Sequence, residues 1–146
     1  MARYKSCLIG CGRMGATIDD EVRNHPNSFL WIPYSHAAGH IASEHTDLVA
    51  VSDVLPEKVA EIQKRYDVPN SYTDYREMLK KEQPDLVSVV TSDHFHADIT
   101  VVAAELRARG IFCEKPIATR LEDADRMIAA AEANGVCLSV DHTRRW

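Results

Sequence analysis

The sequence predicts a doubly wound α/β fold: a mostly parallel sheet with helices on both faces, in three α/β/α layers. Three observations carry this. Short, near-continuous apolar runs alternate with longer segments of helical pattern, as in βαβ units. The first run leads straight into a glycine-rich turn, LIGCGRMG at 8–15. The 146 residues, 45% hydrophobic and 27% charged, suit one ordinary soluble domain with a sizeable core.

The elements follow in order. YKSCLIG (4–10) is a buried strand closed by glycine. Residues 17–34 break the alternation: they hold two prolines and read as an insertion in the first crossover. Phe29, Leu30, Trp31 and Tyr34 predict that this insertion is not wholly solvated, with Trp31 in a lid or in the core. A loop this long tends to be functional or mobile. SHAAGHIASEH (35–45) is helical, and DLVAVSD (47–53) is the second strand. PEKVAEIQKRY (56–66) is a helix with Pro56 at its first position and Val59 and Ile62 on its apolar face. YTDYREMLKKEQ (72–83) is a helix capped by Thr73 or Asp74, and PDLVSVVTS (84–92) is the third strand. HADITVVAAELRARG (96–110) is a helix closed by Gly110. IFCE (111–114) is a strand, LEDADRMIAAAEANG (121–135) a helix closed by Gly135, and VCLSVD (136–141) the last strand. Right-handed crossovers would join them.

Charge and composition narrow the function classes. The net charge of -5 leaves no electrostatic footprint for nucleic acid or an anionic membrane. No apolar run approaches the roughly 20 residues of a membrane helix. The stretch before the first glycine is too short for a secretory signal. Cys7, Cys11, Cys113 and Cys137 show no C-x-x-C spacing. Three of these four lie in strand-like runs, which predicts buried free thiols in a reducing cytoplasm.

Gly10, Gly12 and Gly15 form a G-x-G-x-x-G turn directly after a strand. In a dinucleotide-binding turn the first glycine permits the tight turn, the second lets the backbone approach the pyrophosphate, and the third lets helix and strand pack closely. Free N–H groups at the helix start then bind phosphate, and Arg13 would add charge. Gly10, Cys11, Gly12, Arg13, Met14 and Gly15 are therefore the expected cofactor-binding segment, against the plainer reading of a structural turn.

The second strand ends in Asp53, where a carboxylate would accept hydrogen bonds from the adenosine ribose hydroxyls. Gly15 to Asp53 is 38 residues, against about 20 expected. Setting aside the 18 residues of 17–34 leaves 20. An acidic residue here repels a 2′-phosphate, so NAD is favoured over NADP.

TSDHFHADI (91–99) and CEKPIA (113–118) each follow a strand, at the end where open α/β sheets bind ligands. Taken alone, Lys115 reads as a surface lysine beside a helix-starting proline; partly buried near a cofactor cation, it would have a lowered pKa and serve in proton transfer or hold a substrate oxygen. Pro116 would fix its turn.

LIGCGRMG, LVAVSDV, VTSDHFHADI and CEKPIA, in this order, resemble the Gfo/Idh/MocA oxidoreductases of sugars, inositols and related compounds. The resemblance covers essentially the whole chain and implies a Rossmann domain over 1–146. It implies that Lys115, in Glu114-Lys115-Pro116, contacts the nicotinamide ribose and substrate. The family's Thr-Pro-Asn-x-x-His aligns with Thr91, Ser92, Asp93 and His96 at the cofactor; Ser92 and Asp93 replace Pro and Asn. The family's His-Ala aligns with His36-Ala37, and Asp141 stands where Asn is usual. Members carry a C-terminal α+β domain with further catalytic residues and an oligomer interface. The resemblance thus implies a cofactor-binding part of a longer homo-oligomeric enzyme, inactive alone, with a small polyol or sugar substrate.

No metal is expected. His36 and His40 share a helix face, but His45 falls off it and no carboxylate or cysteine spacing completes a site. Two other functions compete with the oxidoreductase: a non-catalytic NAD sensor, which has no need of Lys115, and a methyltransferase-type Rossmann domain, which does not require the Glu-Lys-Pro turn.

Overall fold

A computed structural model describes residues 3–142. Six parallel strands lie in the order β3-β2-β1-β4-β5-β6. The strands are β1 (Tyr4–Ile9), β2 (Thr46–Ser52), β3 (Asn70–Tyr72), β4 (Leu86–Val89), β5 (Gly110–Glu114) and β6 (Cys137–Asp141). Side chains alternate between faces, so neighbours on β1 enter different cores. Cys7 and Ile9 join Val87, Val89, Ile111 and Cys113 on one face. Leu8 joins Leu48, Val51, Val59 and Ile62 on the other. Central strands buried on both faces explain the continuous apolar runs.

The helices are α1 (Ile18–Val22), α2 (His36–Ala42), α3 (Pro56–Tyr66), α4 (Tyr75–Glu82), α5 (His96–Glu105) and α6 (Leu121–Asn134). α3 starts at Pro56, and α4 takes Asp74 as its cap, whose carboxylate accepts from Arg76 N–H at 2.8 Å. Gly135, at φ 67°, closes α6 in the left-handed region.

Three features differ from the sequence expectation. α5 ends at Glu105, the left-handed position is taken by Arg107, and Gly110 opens β5 instead of closing the helix. A Cβ on Gly110 would come within 3.0 Å of the Leu86 side chain, so strand packing accounts for that glycine. β3 has no counterpart in the predicted elements; its three residues, NSY, carry no apolar run. Cys7, Cys11 and Cys113 are buried, but Cys137 is exposed although it lies in a strand.

The first crossover is also more ordered than an irregular 17–34 implies. A π-helical turn (Arg13–Thr17) runs directly into α1, so the departure from helix begins after Val22. The loop then returns through a 3-10 turn (Ser28–Leu30) to α2. The buried Asp19 carboxylate fixes its end, accepting from Tyr34 N–H at 2.8 Å and Ser35 N–H at 3.0 Å. Phe29, Leu30 and Trp31 are exposed, and Trp31 stacks on His25 with ring centroids 4.4 Å apart instead of entering the core. Among the described residues, no helix is long and apolar enough to cross a membrane.

Candidate functional site

The chain leaves β1 toward β2 and β4 toward β5, on opposite sides, so a crevice opens between the C-terminal ends of β1 and β4. The glycine turn fills its floor. Gly10 has φ +102°, and a Cβ there would overlap the Val90 carbonyl. Its N–H donates to Ser52 O at 2.8 Å. A Cβ on Gly15 would overlap the Gly10 carbonyl, so the helix start rests on the turn. Gly12 is different. Its φ -82° and ψ -160° suit any residue, and nothing lies within 4 Å of where its Cβ would be. That space belongs to a cleft of about 640 Å³.

Asp53 follows β2 and faces this turn. Its Oδ2 accepts from Cys11 N–H at 2.8 Å and its Oδ1 from Leu55 N–H at 3.0 Å. Each oxygen keeps a further lone pair. The Cys11 thiol is pushed up to about 12, by burial first and then by the Asp53 charge, and stays protonated. Cys11 therefore serves the site through its backbone.

The third wall follows β4. Thr91 and Ser92 line the cleft, and Asp93 opens a 3-10 turn (Asp93–Phe95) leading into α5. His96, almost fully buried, lies behind. Its Nδ1 is 2.9 Å from Pro116 O and its Nε2 3.0 Å from Thr91 O. The ring thus links the turn after β4 to the turn after β5. An imidazolium donates to both carbonyls; a neutral ring donates to one.

Glu114 ends β5 with a buried carboxylate. Its Oε2 accepts from Lys115 N–H at 3.1 Å and its Oε1 lies 3.4 Å from His36 Nε2. Burial opposes its ionisation, but His36 and the Lys115 N–H hold it below its usual range. Lys115 is exposed, as the plainer reading of a surface lysine has it, and the Lys115–Pro116 peptide is cis.

Of the residues singled out from sequence, the cleft gathers Gly10, Gly12, Asp53, Thr91 and Ser92. Cys11 and Gly15 brace the turn from behind. The Arg13 guanidinium is held by Glu21, with both contacts at 2.7 Å. Met14 packs partly into the core beside β1. His96, Glu114 and Lys115 stand outside the cleft wall. Sequence reading missed Val54, Leu55, Lys58, Tyr75, Arg76 and Phe95, which also line it. Val54 and Leu55 gave a signal: two apolar residues directly after Asp53, exposed before a helix. Lys58 and Arg76 gave none, since surface cations on helices are ordinary.

The model of an oxidoreductase family with an NAD-binding Rossmann fold, Gfo/Idh/MocA, matches residues 5–142. D-apiose dehydrogenase of Paraburkholderia graminis is 31% identical over 144 residues, 99% of this chain and 33% of that protein. Myo-inositol 2-dehydrogenase of Thermotoga maritima is 31% identical over 139 residues, 95% of this chain and 36% of that protein. The crystal structure of the WlbA dehydrogenase from Bordetella pertussis in complex with NADH and UDP-GlcNAcA matches with a TM-score of 0.75 at 25% identity, covering 96% of this chain and 35% of that one. The chain spans about a third of the length of the curated relatives it matches.

Proposed function

This chain belongs to the Gfo/Idh/MocA oxidoreductase family as an NAD-binding Rossmann domain, and from that premise we propose that it is the cofactor half of a cytoplasmic dehydrogenase. The enzyme oxidises a secondary alcohol of a sugar, an inositol or a related polyol. The observation that carries this is the meeting of Gly12 and Asp53 in one cleft at the end of the sheet.

The residues fit the cofactor. Gly12 leaves open the space in which a side chain would obstruct a pyrophosphate. The helical turn that starts at Arg13 has first N–H groups without intrahelical acceptors, which would bind the anionic oxygens of the pyrophosphate. Asp53 would accept from ribose hydroxyls with its remaining lone pairs and disfavour a 2′-phosphate. Val54, Leu55 and Phe95 offer an apolar surface for a flat base. When bound, NAD supplies the hydride acceptor.

Thr91 and Ser92, which line the cleft, and Asp93 beside them would border the cofactor, and His96 keeps their turn in register with Glu114–Lys115–Pro116. Lys115, exposed at the end of β5, holds the substrate oxygen and takes part in moving its proton. The remaining substrate contacts and a homo-oligomer interface belong to a C-terminal α+β domain. Three buried free thiols fit a reducing compartment.

The test is the full-length protein, assayed for NADH formation against a panel of sugars and inositols. Turnover on at least one, with Lys115→Ala lowering kcat while NAD affinity is kept, supports the proposal. NAD binding without turnover on any polyol leaves a cofactor sensor instead.

A further inference from the structure

Next to the Glu114–Lys115 turn, three ligating side chains from distant segments converge. His36 opens α2, Glu114 ends β5 and Asp141 ends β6. Glu114 and Asp141 are partners across the β5–β6 ladder, so their side chains share a face of the sheet. His36 reaches the same face and packs on Phe112, with ring centroids 5.1 Å apart.

His36 Nε2 lies 3.4 Å from Glu114 Oε1 and 3.8 Å from Asp141 Oδ2, and the three ligand atoms all lie within 4.8 Å of one another. A charge-assisted hydrogen bond between imidazolium and carboxylate closes to about 2.8 Å, shorter than either separation. Ligands bound tetrahedrally to zinc at about 2.0–2.1 Å stand about 3.4 Å apart. The His36–Glu114 separation is that of a long hydrogen bond and equally that of two ligands on one zinc ion.

Charge favours the ion. The three side chains are 4%, 9% and 17% exposed, and two carboxylates share the spot with one imidazole. Among the described residues, no lysine or arginine forms an ion pair with either carboxylate. Glu114 and Asp141, opposite each other on neighbouring strands, bring like charges to one spot. A divalent cation would remove that repulsion. Glu114 is already oriented by the Lys115 N–H. A cavity of about 240 Å³, lined by Tyr34, Ser88, His36 and Asp141 among others, gives an ion entry and room for a water ligand.

We propose that His36, Glu114 and Asp141 bind one divalent transition-metal ion of the zinc type through one nitrogen and two carboxylate ligands. The ion ties α2 to the turn that carries Lys115. The ligand set escapes a search of the sequence because its members are 78 and 27 residues apart.

Calorimetric titration of the chelator-treated chain with Zn²⁺, without cofactor, tests this independently of the dehydrogenase reading. Cys137→Ser is the background, since that thiol is exposed. The expected result is one ion per chain and a raised Tm, with His36→Gln and Asp141→Asn each weakening binding roughly tenfold or more. A folded chain that takes up no stoichiometric Zn²⁺ overturns the site. So does binding that survives both substitutions undiminished, which would place the ion on the exposed histidines. If His36→Gln fails to fold, Asp141→Asn decides alone.

Discussion

The Asp53 carboxylate accepts a hydrogen bond from the Cys11 backbone N–H at 2.8 Å, across 42 residues of sequence. The group proposed to hold the cofactor ribose therefore also holds the glycine turn. Asp53→Ala removes the acceptor for Cys11 and Leu55 together. The expected loss of stability is about 1–2 kcal/mol, read by urea denaturation, while Asp53→Asn, which keeps an amide oxygen, loses less.

The three glycines of the turn should separate by experiment. Gly10→Ala and Gly15→Ala drive a Cβ into backbone carbonyls and destabilise the fold. Gly12→Val projects into open space with an allowed backbone. It should keep stability within about 0.5 kcal/mol and lose NAD binding. Thermal melts beside NAD titrations of the three variants check this.

His40 gives a pH signature. Burial first, and His36 second, hold its pKa well below the ordinary 6.5, at about 4. Its Nε2 lies 2.8 Å from Ser88 Oγ. The unfolded chain takes up a proton near 6.5, whereas the folded chain resists until about 4. This contribution to stability is full above 6.5 and falls away as pH drops from 6.5 to about 4. The Glu114 contribution, from a carboxyl held below its ordinary 4.5, is lost only at lower pH. Urea midpoints across that window should fall in the native protein and fall less in His40→Gln.

Local signals made much of this molecule legible. A strand, a glycine turn and a helix are contiguous, so LIGCGRMG declared its own structure, and Asp53 could be found as the acidic residue that ends the second strand; the count past 17–34 took in residues 17–22, which are helical. Pro56 and Gly135 marked helix ends through backbone constraints that no tertiary contact alters. Where neighbours decide, the sequence was silent. β3 exists because β2 offers it a parallel edge, not because NSY favours a strand. Gly110 looks like a helix stop until Leu86 is seen beside it. Cys137 sits in a strand, yet the face it occupies leaves it exposed. The link from His96 to both Thr91 and Pro116, and the convergence of His36 with Glu114 and Asp141, come from the order of strands in the sheet. Sequence spacing does not encode either.

The glycine turn and Asp53 are proposed to form one NAD cradle. The decisive experiment is calorimetric titration of this chain with NAD and with NADP, in the native sequence and in Asp53→Ala. NAD should bind more tightly than NADP, and Asp53→Ala should weaken NAD by roughly tenfold or more, as loss of charge-assisted hydrogen bonds to the ribose would. Tighter binding of NADP, or an NAD affinity that Asp53→Ala leaves unchanged, would contradict it.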